Sequence, residues 1–256
     1  MEFVKYQGTG NDFILVDGRK GAFKRLEHLV PQLCDRKFGI GSDGLISIEE
    51  DLESAFYMNF FNPDGSKSFC GNGSRCAMQF ARELGIIDAV AQFRAIDGIH
   101  EGRISDGIVS ILMQKVKGVT QLRHDFVINT GSPHYIIFTG NVDTIDLLSE
   151  ARHIRYGDTY ATEGINVNFV EELAQPCHIR MRTYERGVED ETLSCGTGVT
   201  AAAISYAHTH PGTSLVHVTT RGGKLQVRLN SERDGSYTDI WLEGPAKKVF
   251  SGNIEL

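Results

Sequence analysis

The sequence predicts an α+β fold of two similar lobes related by pseudo-two-fold symmetry, each a sheet wrapped around a central helix. Three observations support this prediction. The chain carries one short cysteine motif twice, and strand and loop patterns in its two halves align at a nearly constant shift of 123 residues. The helix that follows the second motif is apolar on almost every side, which is typical of a helix enclosed by other elements.

The repeated motif is a cysteine followed by Gly-X-Gly and then by a helical run. The first copy occupies residues 70–73 (Cys-Gly-Asn-Gly), and the second occupies residues 195–198 (Cys-Gly-Thr-Gly). The glycines let the backbone turn tightly and point successive N–H groups at one place. The positive end of the helix reinforces them, so each copy favours a thiolate or a carboxylate. Cys70 and Cys195 are therefore predicted to act as bases or nucleophiles.

Three helices are expected from periodicity and from their end signals. The helix after Cys70 should continue to about Leu84, where Gly85 ends it. Cys76 lies on the apolar face of this helix and is predicted to pack in the core. The helix after the second motif should cover residues 199–208, and residues 26–35 also have a helical pattern.

Strand patterns, rich in β-branched and aromatic residues between turn signals, surround these helices. They cover residues 3–6, 13–16, 45–48 and 55–61, short strands within 91–116, and residues 215–218, 225–229 and 239–242. Residues 8–12, between the first two strands, are expected to form a loop.

The repeat defines the predicted domains. The shift aligns Phe3 with Phe126, Gly8 with Gly131, Asn11 with His134, Asp43 with Asn166, and Asn62 with Glu185. A constant shift across several segments indicates a duplicated unit. We predict an N-terminal lobe, residues 1–117, that carries Cys70 and to which residues 247–256 return, and a C-terminal lobe, residues 118–246, that carries Cys195.

Composition is that of an ordinary globular protein. The 256 residues are 41% hydrophobic and 23% charged, with a net charge of −7 and no Lys/Arg cluster. This argues against a nucleic-acid partner and against an anionic membrane. No apolar run is long enough to cross a bilayer and the start lacks a signal-peptide core, so we expect a cytoplasmic protein.

Cysteine usage agrees with a reducing compartment. The chain has five cysteines, an odd count at unpatterned spacings, and these are expected to be free thiols. Cys70 and Cys76 do not have the Cys-x-x-Cys spacing of a zinc site, so no metal is expected.

Two lobes that face each other would place the two thiols on opposite sides of one substrate. This suits inversion at a carbon acid, because one thiolate removes a proton while the opposite thiol delivers one to the other face. The α-hydrogen of an amino acid is very weakly acidic, so desolvation and positioning must supply much of the rate. The sequence shows neither a Schiff-base lysine nor a cofactor motif, and a two-base route needs no cofactor.

Six motifs in this order resemble the diaminopimelate epimerase family, and the resemblance spans nearly the whole chain. They are Gly-Thr-Gly-Asn-Asp-Phe at 8–13, Phe-Asn-Pro-Asp-Gly-Ser at 61–66, Cys-Gly-Asn-Gly-Ser-Arg-Cys at 70–76, Gly-Ile-Asn-Val at 164–167, Tyr-Glu-Arg-Gly at 184–187 and Glu-Thr-Leu-Ser-Cys-Gly-Thr-Gly at 191–198. The resemblance implies cofactor-independent interconversion of LL- and meso-2,6-diaminopimelate, for lysine and peptidoglycan precursors. It also implies barrel-like lobes around central helices, and a homodimer.

The resemblance implies roles for individual residues. Cys70 and Cys195 would be the catalytic bases, and His134 and Glu185 would tune them. The substrate would be held by Asn11, Asn62, Gly71, Asn72, Asn166, Glu185, Arg186, Gly196 and Thr197. Two positions depart from the family pattern: Ser132 stands where many members have Asn, and Gly44 stands where some have Gln.

Two other classes of function stay open. A related cofactor-independent racemase or isomerase would act on another amino acid such as proline, but the Asn positions and residues 184–187 favour a substrate with a second polar end, which proline lacks. A non-catalytic small-molecule binder or a thiol redox protein on the same fold is the other class. A redox protein would normally show Cys-x-x-Cys or a nearby resolving cysteine.

Overall fold

The computed structural model describes residues 1–21 and 23–256, which form two compact units. The first unit consists of Met1–Ile111 together with Gly244–Leu256, and the second consists of Leu112–Glu243.

The change of unit lies earlier in the chain than the predicted boundary at Lys117. The segment before this residue is hydrogen-bonded to a strand of the second unit. Met113 N–H donates to the carbonyl of Ile240 (2.7 Å), and Val116 and Tyr237 exchange two backbone hydrogen bonds (3.0 and 2.8 Å). These bonds assign the segment to the second unit.

The described residues contain seventeen strands and four α-helices, and none of these helices is long and apolar enough to span a membrane. In chain order the elements are β1 (Glu2–Gly8), β2 (Asn11–Asp17), α1 (Val30–Cys34), β3 (Gly44–Glu49), β4 (Tyr57–Phe61), α2 (Gly71–Glu83), β5 (Val90–Ala95), β6 (Gly98–Ser105), β7 (Ile108–Leu112), β8 (Thr120–Leu122), β9 (Asp125–Asn129), β10 (Pro133–Phe138), α3 (Leu147–Arg155), β11 (Asn166–Glu172), β12 (His178–Glu185), β13 (Asp190–Thr192), α4 (Gly196–Thr209), β14 (Leu215–Thr220), β15 (Gly223–Ser231), β16 (Tyr237–Pro245) and β17 (Lys247–Asn253). Short 3₁₀ segments cover Arg19–Gly21, Lys24–Leu29 and Val142–Thr144.

In the first unit, the strands pair in chain order around α2. β1 is antiparallel to β2, β2 parallel to β3, β3 antiparallel to β4, and β4 parallel to β5, which begins the antiparallel run β5–β6–β7. The last strand of the chain, β17, pairs antiparallel with β1. α2 contacts β1, β2, β3, β4 and β6, so this sheet wraps around the helix.

The second unit repeats this order of pairings around α4. β9 is antiparallel to β10, β10 parallel to β11, β11 antiparallel to β12, and β12 parallel to β14, which begins the antiparallel run β14–β15–β16. α4 contacts β9, β10, β11, β12, β14 and β15. The predicted α+β fold of two similar lobes, each a sheet around a central helix, is confirmed.

The two central helices differ slightly from their predicted bounds. α4 begins at Gly196 rather than at residue 199, because Cys195 has an extended backbone and its carbonyl accepts the N–H of Val199 (2.9 Å). The Gly-Thr-Gly segment therefore forms the first helical turn. α2 ends at Glu83, and Gly85 follows with φ +69°, as expected of a left-handed stop.

Two other local predictions are wrong. Residues 26–35 are not one helix, because a 3₁₀ segment precedes α1 and only the last turn is α-helical. Residues 8–12 are not all loop: Thr9 and Gly10 form a two-residue turn at positive φ (53° and 84°), and β2 begins at Asn11. Asn11 is thus held by strand hydrogen bonds.

Because α4 is enclosed by strands, removing an apolar side chain from it should leave a cavity. Ile204 has no exposed surface, whereas Leu52 is fully exposed. We expect Ile204→Ala to lower the free energy of unfolding by about 2–5 kcal/mol, and Leu52→Ala to leave it within about 0.5 kcal/mol of wild type. Urea unfolding followed by circular dichroism measures both. Equal stability of the two variants would contradict the enclosed position of α4.

Candidate active site

Cys70 caps the N-terminus of α2. Its extended backbone (φ −136°, ψ 112°) brings Sγ over the first turn, where it accepts a hydrogen bond from the N–H of Gly73 (3.4 Å). A Cβ on Gly73 would lie 3.1 Å from Cδ1 of Ile46 and 3.3 Å from Cβ of Cys70, so glycine allows this close approach. The unpaired N–H groups of a helix start favour negative charge, and here they favour the thiolate of Cys70.

Two carboxamides, Asn11 and Asn72, lie beside Cys70. Oδ1 of Asn11 is 3.9 Å from the sulfur and accepts a hydrogen bond from Nδ2 of Asn72 (3.4 Å). Nδ2 of Asn11 donates to Oδ2 of Asp43 (2.6 Å), which fixes the orientation of the Asn11 amide. Oδ1 of Asn72 accepts from Nη2 of Arg75 (3.0 Å). The first unit thus brings Cys70, Asn11 and Asn72 together.

Cys195 is the N-cap residue of α4 and has a similarly extended backbone (φ −118°, ψ 113°), but unlike Cys70 its side chain makes no capping hydrogen bond to the described residues of the helix; it is buried. Its Sγ is 3.4 Å from Oγ1 of Thr197, which is 2.9 Å from Nε2 of His134. The carbonyl of Thr197 accepts a hydrogen bond from the hydroxyl of Thr130 (2.8 Å), which holds the first turn of the helix in place. The second unit thus brings Cys195, Thr197 and His134 together.

A chain of hydrogen bonds behind His134 sets its tautomer. The hydroxyl of Thr183 donates to Oδ1 of Asn168 (3.0 Å), and Nδ2 of Asn168 donates to Nδ1 of His134 (3.1 Å). The ring proton therefore lies on Nε2, which donates to Thr197. The hydroxyl proton of Thr197 is then available to donate to the sulfur of Cys195 when that sulfur is a thiolate, and such a donor favours the thiolate.

His134 is a neutral group in this chain. Burial, together with the nearby charge of Arg186, lowers the pKa of His134 to about 3. At neutral pH the imidazole therefore donates a hydrogen bond without carrying charge. Gly198 leaves room for this pair, since a Cβ there would lie 2.6 Å from Oδ1 of Asn168 and 3.3 Å from the His134 ring.

Asn166 and Arg186 lie together in the second unit. Nδ2 of Asn166 donates to Oγ of Ser132 (2.8 Å) and to the carbonyl of Pro133 (2.9 Å), and its Oδ1 accepts the backbone N–H of Arg186 (2.9 Å). The guanidinium of Arg186 donates to the carbonyl of Glu163 through Nη1 (2.9 Å). Both amide hydrogens of Asn166 are therefore engaged within the protein.

The other predicted site residues lie around the two motifs. Oε2 of Glu185 accepts a hydrogen bond from the hydroxyl of Thr192 (2.9 Å). Nδ2 of Asn62 donates to Oγ of Ser66 (3.0 Å), so Asn62 stabilises the turn that precedes Cys70. Gly71 and Gly196 are the buried first residues of α2 and α4.

The two departures from the family pattern have a structural basis. Ser132 accepts the amide of Asn166, as described above. A Cβ on Gly44 would lie 2.5 Å from the ring of Phe60 and 2.8 Å from the carbonyl of Phe61, so this packing admits only glycine.

Four residues of these networks were missed by the sequence analysis: Asn168, Thr183, Asp43 and Arg75. Asn168 had a detectable signal, because it lies two residues after Asn166 in an otherwise apolar strand and so shares its buried face. Arg75 also had one, because a cation near the N-terminus of a helix is opposed by the helix dipole. Thr183 and Asp43 gave no signal, and only tertiary contacts identify them.

The sequence model of one family, described as diaminopimelate epimerase, matches residues 3–103 and 126–249. The chain belongs to the diaminopimelate epimerase family. A diaminopimelate epimerase from Flavobacterium psychrophilum is 46% identical, with 99% of this chain and 100% of the relative covered. One from Chlorobaculum tepidum is 39% identical, with 97% and 99% covered. The family predicted from the six motifs is confirmed.

Solved structures with the same fold lie much further away in sequence. A phenazine biosynthesis protein of the PhzF family from Bacillus anthracis has a TM-score of 0.74 at 13% identity, with 100% of this chain and 99% of that chain covered. A probable proline racemase from Agrobacterium radiobacter has a TM-score of 0.70 at 13% identity, with 100% and 93% covered. At these identities the likeness shows the fold that members of the diaminopimelate epimerase family share with other proteins, and it says nothing of the substrate.

The burial of neutral His134 should make stability depend on pH. Its pKa of about 3 in the folded protein lies below the ordinary 6.5, so the unfolded chain binds a proton that the folded chain does not. Burial of the neutral ring therefore does not reduce the free energy of unfolding above about pH 6.5, and it reduces that free energy progressively as the pH falls toward about 3. We expect the urea midpoint to fall less between about pH 7 and pH 4 in His134→Gln than in wild type. The exposed His153→Gln is the control and should follow wild type; equal slopes in all three proteins would contradict a buried neutral imidazole.

Proposed function

We propose that this protein is a cofactor-independent epimerase that interconverts LL- and meso-2,6-diaminopimelate, an isomerase of lysine and peptidoglycan precursor biosynthesis. One observation carries the proposal: each unit holds a cysteine as the N-cap of its central helix, within a Gly-X-Gly frame. Family membership and relatives that match over their whole length agree with it. Two matched thiols are what inversion by two bases requires.

The proposal assigns the two bases to Cys70 and Cys195. In one direction, the thiolate of one cysteine removes the α-proton, and the C–H electron pair passes into the substrate carboxylate as an enolate. The thiol of the other cysteine then delivers its proton to the opposite face of the carbon. Each turnover exchanges the protonation states of the two cysteines, so the reverse reaction uses the swapped pair. The chemistry requires one bound α-carbon to contact both sulfur atoms.

We assign the reacting carboxylate to the first turns of α2 and α4. Residues at a helix start have N–H groups without intrahelical partners, and these groups stabilise an anion. Gly71 and Asn72 provide them in the first unit, and Gly196 and Thr197 provide them in the second. Stabilisation grows as negative charge builds on the carboxylate in the transition state, which is the differential binding that catalysis needs.

We assign the distal amino and carboxylate end of the substrate to a set of polar side chains: Asn11, Asn62, Asn166, Glu185 and Arg186. Oδ1 of Asn11, whose amide is oriented by Asp43, is an acceptor for an ammonium group. The guanidinium of Arg186 has five N–H donors and suits a carboxylate. A substrate with a single charged end, such as proline, would use only part of this set.

Two residues are proposed to tune the cysteines. His134 acts on Cys195 through Thr197, since Nε2 and Sγ both lie within hydrogen-bond distance of the Thr197 hydroxyl. Glu185 is positioned by the hydroxyl of Thr192 and would act as a carboxylate beside the second motif. Reduced thiols are needed throughout, so the proposal places the protein in a reducing cytoplasm.

Proton exchange in deuterated buffer with reductant tests the reaction and the bases together. We expect wild type to incorporate deuterium at the α-carbon of LL-diaminopimelate and to form the meso isomer, as followed by NMR. Cys70→Ala and Cys195→Ala should each lose about a hundredfold or more of the epimerisation rate, in the range expected for removal of an acid or base.

Cys177→Ala is the matched control, because Cys177 is a partly buried free thiol outside both motifs. It should retain wild-type activity. Exchange on proline alone would move the protein to the racemase class, and full epimerisation by either motif mutant would remove that cysteine from the mechanism.

We also propose that the protein forms a homodimer, as the family resemblance implies. β17 exposes Val249 and Phe250, at 57% and 47% of their surface, and burying such side chains between two copies would remove apolar surface from water. Sedimentation equilibrium should give the mass of two chains. A single-chain mass at concentrations well above those used in the assay would overturn this part of the proposal.

A further inference from the structure

Arg75, near the start of α2, is a buried cation that has no carboxylate partner among the described residues. Its side chain has no exposed surface. Nη2 donates to Oγ1 of Thr9 (2.9 Å) and to Oδ1 of Asn72 (3.0 Å), and Nε donates to the carbonyl of Pro245 (3.5 Å). Within residues 1–21 and 23–256, Nη1 has no hydrogen-bond partner, and no acidic side chain forms a salt bridge with this guanidinium. Burying such a charge is costly unless something offsets it.

We propose that Arg75 is a positioning residue for the residues around Cys70, here called the first half-site; those around Cys195 are the second half-site. The buried positive charge of Arg75 offsets the negative charge of the Cys70 thiolate, and its Nη2 fixes the carboxamide of Asn72. This inference rests on the proposed function, because it takes Cys70 as a reacting thiol. The residues connect in short steps. Arg75 contacts Asn72, Nδ2 of Asn72 contacts Oδ1 of Asn11 (3.4 Å), and that oxygen lies 3.9 Å from the sulfur.

The fold itself does not require a cation at this place. At the 125-residue shift that aligns the two cysteines, Arg75 corresponds to Thr200 in α4. Thr200 is also fully buried, and its hydroxyl donates to the carbonyl of Gly196 (3.0 Å). A small neutral side chain therefore fills the equivalent position of the second half-site. Two helices at equivalent positions of the repeat differ by one buried charge, which indicates a role in the chemistry around Cys70.

The surrounding charges leave Cys70 as the group that Arg75 can act on. Burial lowers the pKa of Arg75 to about 10, so it stays charged at neutral pH, and negative charge on Cys70 acts to raise it. Burial raises the pKa of Cys76 to about 12, so that thiol stays protonated. Of the two neighbouring sulfur atoms, only Cys70 is left to hold the negative charge.

Other charged groups near the start of α2 are paired with one another. Lys5 and Arg36 form ion pairs with Asp12 (2.7 and 2.6 Å), and Arg36 also pairs with Asp43 (2.6 Å). This cluster of two cations and two carboxylates is neutral. At the other end of α2, burial and then Glu83 raise the pKa of Tyr6, so this phenol is neutral as well.

Site-resolved alkylation tests the inference without turnover. Iodoacetamide, which is uncharged, is added between about pH 5.5 and pH 9 to three proteins: wild type, Arg75→Met and Arg75→Lys. Peptide mass spectrometry then gives separate rates for Cys70 and Cys195 in each sample. Arg82→Met, an exposed arginine in the last turn of the same helix, is the matched control.

In Arg75→Met we expect Cys70 to be alkylated about tenfold more slowly at about pH 7, with a pH midpoint higher by about one unit, because only the thiolate reacts. Cys195 in the same molecules should change by less than about twofold, as should both cysteines in Arg82→Met. Arg75→Lys keeps the charge and should keep the midpoint of Cys70. A purely structural role would move both cysteines or neither.

An unchanged midpoint of Cys70 in folded Arg75→Met, or an equal change at Cys195, would overturn the inference. If circular dichroism shows that Arg75→Met does not fold, Arg75→Lys decides, and a raised Cys70 midpoint in that folded variant would overturn it. Failure of this inference can be told apart from failure of the proposed function. If Cys70→Ala retained epimerase activity, Cys70 would have no catalytic role, but the effect of Arg75 on the alkylation of Cys70 would still stand or fall by its own measurement.

Discussion

The first N–H groups of an α-helix have no intrahelical partner, and this constraint organises both halves of the molecule. Each of the helices α2 and α4 is enclosed by a sheet and follows a cysteine in extended conformation. At α2 the sulfur of Cys70 accepts one of the N–H groups that the helix cannot use, and at both helix starts such groups favour an anion. Gly73 and Gly198 permit this because a Cβ on either would press into a neighbouring side chain. The enclosing strands then hold the helix starts in place, so the sheet serves as the support of the site.

The same frame carries different polar surroundings in its two copies. Around Cys70 lies an amide oxygen, Oδ1 of Asn11, with the buried guanidinium of Arg75 behind Asn72. Around Cys195, a series of donors runs from Thr183 through Asn168 and His134 to the hydroxyl of Thr197. A two-base epimerase needs each cysteine to be stable both as thiol and as thiolate, because the pair exchanges its proton at every turnover. Under the proposed mechanism, the distinct surroundings would let each cysteine reach that balance by different interactions.

Much of the fold and of the site followed from the sequence, because the relevant signals are local. The turn chemistry of Gly-X-Gly and the apolar faces of two helices are local patterns, and the alternating strands between turn residues are as well. The repeat added a non-local comparison that paired Asn11 with His134. The predicted helix starts were less accurate. Residues 196–198 have the propensity of a loop, yet they form the first turn of α4 because the carbonyl of the N-cap residue Cys195 accepts the first helical hydrogen bond.

The sequence by itself determined the family, the two-fold repeat of the fold and the two cysteines, because each rests on residue types at fixed spacings. Only the tertiary structure decided how the side chains around the sulfur atoms bond. The tautomer of His134 depends on Asn168 and Thr183, which come from two neighbouring strands, and the orientation of Asn11 depends on Asp43. The contacts that bury the charge of Arg75 likewise come from residues distant in sequence, Thr9 and Pro245. Hydrogen-bond direction and desolvation depend on what surrounds a group in space, and residues distant in sequence supply those surroundings.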